Sequence, residues 1–296
     1  MTLPNFIIIG PAKCGTTSLC HYLGQHPEIY ISPAKEPRFF APEFYATPPN
    51  SLVRKGARRK QMGLQEYKSL FRGVTTEKAI GEASTEYMFF PKSPNRIKEL
   101  IPQAKLITVL RNPCDRAFSA YCYQRRDGAE NLTFKEALEE EEKRSKEDWR
   151  PGWRYKEAGF YYEQISRYSE LFSPQQLKIF LYEELNQNPL DTLKNIFKFL
   201  EVDSGFVPDL SRKNVSSVPQ NLLINKMLVP SSPISFLKPY LPDQWKIILR
   251  NIREKNRKSK PDLPDDLRET LVKTYEEDIL RLQEYIQKDL SSWLMH

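Results

Sequence analysis

Phe6-Ile7-Ile8-Ile9-Gly10-Pro11-Ala12-Lys13-Cys14-Gly15-Thr16-Thr17 stands near the head of the chain, and its reading decides the fold. Four apolar residues in a row predict a strand buried on both faces, as in a parallel sheet covered by helices. Gly10 and Gly15 then bracket a turn, and a helix is expected from about residue 16 to 25. Such a turn offers backbone N–H groups and the positive end of a helix to an anion. The triphosphate-binding version of this frame continues Lys-Ser/Thr after its second glycine, the lysine reaching the phosphates and the hydroxyl holding Mg²⁺. Here Thr16-Thr17 follow Gly15, and the lysine sits inside the loop as Lys13. From there it can neutralise a phosphate oxygen with no metal. A plain glycine turn between strand and helix is the competing reading.

Outward from that loop, apolar runs alternate with helical patterns, which argues for an α/β fold with a parallel sheet. Strands are expected at 78–83, 105–110 and 177–182, and helices at 94–101, 134–146, 160–172 and 191–200. Asn112-Pro113 ends the third strand and begins a helix to about Arg126, Pro113 suiting a first helical turn. Thr133 is placed to cap the acidic helix after it. Pro27 and Pro33 punctuate a loop, and 42–62 reads as a basic, proline-bearing excursion. Beyond a core of residues 5–202, the stretch 203–221 reads as a polar loop and 229–243 is rich in proline and serine. A long helix over 265–288 then carries Leu267, Leu271, Tyr275, Ile279, Leu282 and Ile286 on one face. The expected architecture is a P-loop-type parallel sheet flanked by helices: one domain, with residues 203–296 packing back on the core.

The 296 residues are 40% hydrophobic and 12% aromatic, the balance of a globular chain. No apolar run approaches the roughly 20 residues that cross a bilayer, so stable membrane insertion is not expected. The first strand follows the first residues directly, leaving no basic leader; a cytoplasmic location is the expectation. Cys14, Cys20, Cys114 and Cys122 fit no zinc spacing and read as reduced thiols. The net charge of +7 includes a dense basic run at 250–260, but no nucleic-acid-binding motif accompanies it, so no nucleic-acid partner is expected.

The segment FIIIGPAKCGTTSLCHYLGQHPEIYISPAKEPRFF resembles the opening of sulfotransferases that use 3'-phosphoadenosine 5'-phosphosulfate. It is similar to bacterial members and to the carbohydrate, heparan-sulfate-like branch with its K-E-x-x-F-F element. ITVLRNPCDRAFSAYCY matches the family's R-x-P-x-x-R-x-x-S-x-Y pattern, and IFLYEELNQNP resembles its strand and helix beside the adenine. The three elements stand in the family's order between residue 5 and about 200.

The resemblance implies that Lys13 contacts the 5'-phosphosulfate while Cys14, Gly15, Thr16 and Thr17 form the loop around it. It puts Arg111 and Ser119 on the 3'-phosphate and Tyr182 beside the adenine, with Arg212 and Lys213 in a late basic loop. Arg111 also lies at the carboxyl end of a strand, where parallel sheets bind ligands. Arg116 reads as structural. Sulfuryl transfer to a hydroxyl needs a base for the proton and cations for the leaving group. His21, His26 and His296 do not stand where the cytosolic branch places its histidine base. By elimination and by resemblance Glu36 becomes the candidate base, an ordinary ion pair with Lys35 or Arg38 being the alternative. Arg38 stands where the carbohydrate branch has histidine, and Ala83 follows Glu82 where that branch has lysine. Glu82 is a second candidate base or acceptor-orienting group, Glu86 and Tyr87 near the same strand end are expected to line the acceptor side, and Arg38 is expected to bind the acceptor with them. No metal is expected, and the acceptor is a saccharide, lipid or other small alcohol. A P-loop phosphotransferase and a non-catalytic glycan or anion binder are the competing functions.

Overall fold

The computed structural model describes residues 2–46, 61–211, 217–221, 256–259 and 261–295, with positions 242, 244, 245, 248, 249, 251 and 252 between them. Arg212, Lys213, the basic excursion at 54–60 and most of 229–243 lie outside the described residues.

Five strands form one wholly parallel sheet: β1 (Phe6–Gly10), β2 (Ile29–Ile31), β3 (Ala79–Ala83), β4 (Lys105–Leu110) and β5 (Leu177–Leu181), in the order β2-β3-β1-β4-β5. Every residue of β1 is buried, as its unbroken apolar run requires. Helices cover both faces of this sheet, and two hydrophobic clusters lie against them. One contains Ile7, Ile9, Leu106 and Leu110, and the other Phe6, Ile8, Ile107 and Val109, which is the alternation of a pleated strand. The expected α/β architecture is the one observed.

The helices of the first half are α1 (Thr16–Leu23), α2 (Glu43–Ala46), α3 (Leu64–Ser69), α4 (Ser93–Leu100) and α5 (Pro113–Arg126). Asn112 caps α5, its side chain accepting from the N–H groups of Cys114 and Asp115 at 2.9 and 3.3 Å, with Pro113 in the first turn. The acidic segment is two helices, α6 (Phe134–Glu139) and α7 (Glu141–Lys146), and Thr133 and Glu136 close a capping box on α6. Next come α8 (Tyr161–Ser169), α9 (Tyr182–Gln187) and α10 (Pro189–Leu200). Tyr182 therefore opens a helix rather than closing β5. Strand β2 was not expected from the sequence. Three residues between two prolines carry too little periodicity, yet they pair with β3 along their whole length.

The stretch read as a polar loop contains β6 (Ser217–Pro219), antiparallel to β7 (Arg257–Ser259), so part of each basic or polar segment is a two-stranded ribbon. The last helix, α11 (Asp265–Ile286), buries Leu271, Tyr275, Ile279 and Leu282 in the same cluster as Ile7 and Leu106. Arg268 of α11 pairs with Asp115 at 2.8 Å, and the Asp278 carboxylate accepts from the Tyr161 N–H at 2.8 Å. None of the described helices is long and apolar enough to cross a membrane.

Candidate active site

The candidate residues converge because their strands are parallel. Lys13 follows β1, Glu36 and Arg38 follow β2, Ser84 to Glu86 follow β3, Arg111 follows β4 and Tyr182 follows β5. All stand beyond the carboxyl edge of one sheet, where such sheets bind ligands.

Gly10 and Gly15 shape the loop. Gly10 has φ +120°, and a Cβ there would lie 2.4 Å from the Thr85 carbonyl oxygen, so only glycine lets the loop pass β3 so closely. Gly15 has φ +82° and precedes the first turn of α1, and a Cβ there would meet the Tyr182 ring at 3.1 Å. That contact places Tyr182 against the loop. Thr16 is buried in the first turn of α1, and Cys14 is fully buried with its thiol pushed up to about 11 by burial. The Cys14 side chain is thus a buried, protonated packing group. Among the described residues all four cysteines are free thiols.

Lys13 is one of several non-glycine residues in left-handed backbone, at φ +75°; Glu36 (φ +52°) and Arg38 (φ +54°) are two more. Strain of this kind concentrates where a side chain must be aimed. The Lys13 ammonium makes no hydrogen bond or ion pair among the described residues and lies 4.5 Å from the centroid of the Tyr123 ring. Burial lowers its pKa to about 8, with Arg126 and Arg111 adding repulsion. Arg111 lies 4.6 Å over the Tyr182 ring and donates to the Lys13 carbonyl at 3.4 Å, while its buried Nε has no hydrogen-bond partner among the described residues. A buried, orphaned donor is costly unless a ligand completes it. Two cations that have no carboxylate partner among the described residues therefore face one loop.

Ser119 is buried on α5, about two turns beyond Asn112. Tyr123 and Arg126 follow it at helical spacing on the same helix and bring an aromatic face and a third cation to Lys13; Arg126 lies 4.5 Å from the same ring. The sequence reading passed over both, although the i, i+4, i+7 spacing from Ser119 is legible. Arg116 is buried and donates to the Tyr155 carbonyl, a structural role as expected.

On the other side of the loop, Glu36 pairs with Arg38, and Arg38 pairs with Glu86 at 2.8 Å. Thr85 donates to Glu36 at 3.2 Å, and Lys35 donates to the Thr17 hydroxyl at 2.9 Å. Glu36 remains partly exposed. Glu82 differs: it is fully buried and accepts hydroxyls from Tyr87 at 2.6 Å, Ser84 at 2.9 Å and Tyr67 at 3.2 Å. Burial raises its pKa to about 7, the three hydroxyls opposing that rise. Ser84 also accepts from the Arg38 N–H at 3.0 Å, so Glu82 and Tyr87 form a buried brace under the Glu36–Arg38 turn. Among the described residues no three His, Cys, Asp or Glu side chains converge as metal ligands. His26 is also structural, bonded to the Asp203 carbonyl at 2.8 Å.

Residues 4–206 match the model of the sulfotransferase family. The chain is similar to the bifunctional heparan sulfate N-deacetylase/N-sulfotransferase 3 of mouse, 31% identical over 217 residues that are 69% of this chain and 23% of that protein. The human counterpart is 32% identical over 206 residues, 68% of this chain and 22% of that protein. The match thus spans less than a quarter of those relatives. A sulfotransferase from Alicyclobacillus acidocaldarius superposes with a TM-score of 0.80 at 34% identity, covering 100% of both chains.

Proposed function

Because the chain belongs to the sulfotransferase family of enzymes, we propose that it moves a sulfuryl group from 3'-phosphoadenosine 5'-phosphosulfate to a hydroxyl of a small-molecule or glycan acceptor. The observation that carries this reading is the pair of cations, Lys13 and Arg111, that have no carboxylate partner among the described residues, on a loop lacking the triphosphate lysine. A donor with phosphate groups at its 3' and 5' positions needs two such points of charge. Lys13 would serve the bridging oxygen between phosphate and sulfuryl, and Arg111 with Ser119 the 3'-phosphate. Tyr182 would flank the adenine, and the loop N–H groups through Thr16 and Thr17 would hold the 5' end.

In the reaction a bond forms from the acceptor oxygen to sulfur while the bond from sulfur to the bridging oxygen breaks. The acceptor's proton passes to the Glu36 carboxylate, and the Lys13 ammonium offsets the charge left on the bridging oxygen. Arg38 and Thr85 hold Glu36 in place, with Glu82 bracing the turn from below. The relatives' name as N-sulfotransferases favours a second reading in which the acceptor atom is an amine nitrogen; the proton and charge balance is the same.

Arg111→Ala is expected to weaken binding of adenosine 3',5'-bisphosphate about ten- to hundredfold by calorimetry, the worth of a charged hydrogen bond. Its kcat at saturating donor should stay within about threefold. Unchanged affinity would remove the 3'-phosphate assignment. Transfer should also be unaffected by EDTA, because Lys13 occupies the role a metal has in triphosphate sites. Loss of transfer restored by Mg²⁺ would favour the phosphotransferase.

A further inference from the structure

The Lys13 ammonium is aimed by something other than an ion pair. The residue is half-buried, stands in left-handed backbone at φ +75°, and makes no side-chain hydrogen bond or ion pair among the described residues. A lysine side chain is long and flexible, so holding it in one place costs rotamer entropy that some contact must offset. The contact present is the Tyr123 ring, whose centroid lies 4.5 Å from the ammonium nitrogen. That is the geometry of a cation over the negative face of an aromatic ring.

Core packing does not account for Tyr123. Its side chain is 40% exposed and belongs to neither hydrophobic cluster, whereas Phe118, Ala120 and Cys122 of the same helix are buried. Its neighbours on α5 are polar. Arg126, one turn on, lies 4.5 Å from the Tyr123 centroid and pairs with Asp127 at 3.2 Å. The charges that act most on the Lys13 ammonium are Arg126 and Asp127 of this helix, Arg111 after β4 and Lys35 after β2. Three of these four repel it, and the one acid, Asp127, is paired with Arg126.

A carboxylate in the place of the ring would also hold Lys13, but it would neutralise the charge, and an incoming anion would have to displace it. A ring holds the ammonium while its charge and its N–H donors stay free. We propose that Tyr123 is the positioning residue for Lys13, its ring holding the ammonium in place with the charge uncommitted until the sulfuryl donor arrives. The identity of the anion that Lys13 meets rests on the sulfuryl-transfer reading; the hold of Tyr123 on Lys13 does not.

The test reads the Lys13 side chain by NMR in protein labelled with ¹³C at lysine Cε, the Lys13 signal being identified by its loss in Lys13→Arg. Protons over an aromatic face are shielded, so the Lys13 Hε signal should stand upfield of those of exposed lysines. Tyr123→Leu should return it to the exposed range, while Tyr123→Phe, which keeps the ring, should leave it upfield. Affinity for 3'-phosphoadenosine 5'-phosphosulfate, by calorimetry without acceptor, should fall about fivefold in Tyr123→Leu, the worth of ordering one flexible side chain, and recover in Tyr123→Phe. A wild-type Lys13 signal in the exposed range, or one that stays upfield in Tyr123→Leu, would overturn the proposal. So would a donor affinity indifferent to Tyr123→Leu or lost equally in Tyr123→Phe. The expected shifts in a wild-type protein that does not bind the donor would uphold the hold on Lys13 and count against sulfuryl transfer.

Discussion

Lys13→Ala is expected to lower kcat about a hundred- to a thousandfold, with little change in the fold or its melting temperature. The magnitude is that of removing one preorganised charge from a developing anion. Deletion of a side chain that makes no hydrogen bond or ion pair among the described residues leaves no buried partner stranded, so stability is spared. Lys13→Arg should recover only part of the rate, because a planar guanidinium does not present the compact charge of an ammonium. The same residue fixes a pH dependence. Burial, then Arg126 and Arg111, lowers the Lys13 pKa to about 8 in the free protein, so the charged fraction falls as pH rises through 8. The wild-type kcat/KM profile should carry an alkaline limb near pH 8 that is absent from Lys13→Ala. Bound anion would favour the charged form, so the limb in kcat should lie at higher pH. An alkaline limb unchanged in the variant would show that another group titrates.

Glu36→Gln is the second large effect. It should reduce kcat about a hundred- to ten-thousandfold, the range for a general base, with donor affinity nearly unchanged. Glutamine keeps the shape of the turn and can still meet Arg38 and Thr85, but it cannot take a proton. Glu82→Gln is the informative comparison. Glu82 is enclosed by the hydroxyls of Tyr87, Ser84 and Tyr67, so its loss should act on stability and on the position of the Glu36 turn. The loss of kcat in Glu36→Gln should exceed that in Glu82→Gln, whose melting temperature should fall instead. The reverse outcome would make Glu82 the base and Glu36 an ion-pair partner.

Much of this site is legible in the sequence because it is local. The apolar run Phe6–Ile9, the two glycines and the displaced Lys13 specify a strand, a turn and a charge within a dozen residues. Arg111 is legible for a related reason: Asn112-Pro113 marks the strand end on which it stands. What escapes the sequence is whatever depends on distant segments meeting. The brace of Tyr67, Ser84 and Tyr87 around Glu82 joins α3 to the end of β3. The Arg38–Glu86 pair spans two strand ends, and both acquire meaning only from the sheet order β2-β3-β1. Strand β2 itself was hidden, since its three residues take their conformation from pairing with β3 rather than from any periodicity of their own. Tyr123 is an intermediate case: its spacing from Ser119 is visible, but its ring meets Lys13 only because α5 passes the loop.

The measurement that bears most directly on the account uses donor labelled in its sulfuryl group, supplied with a panel of saccharide, lipid, alcohol and amine acceptors. With wild-type protein the label should move to one acceptor class while adenosine 3',5'-bisphosphate accumulates in equal amount, and with Lys13→Ala both should cease together. Transfer undiminished in Lys13→Ala, or no transfer to any acceptor by a wild-type protein that binds the bisphosphate, would contradict it.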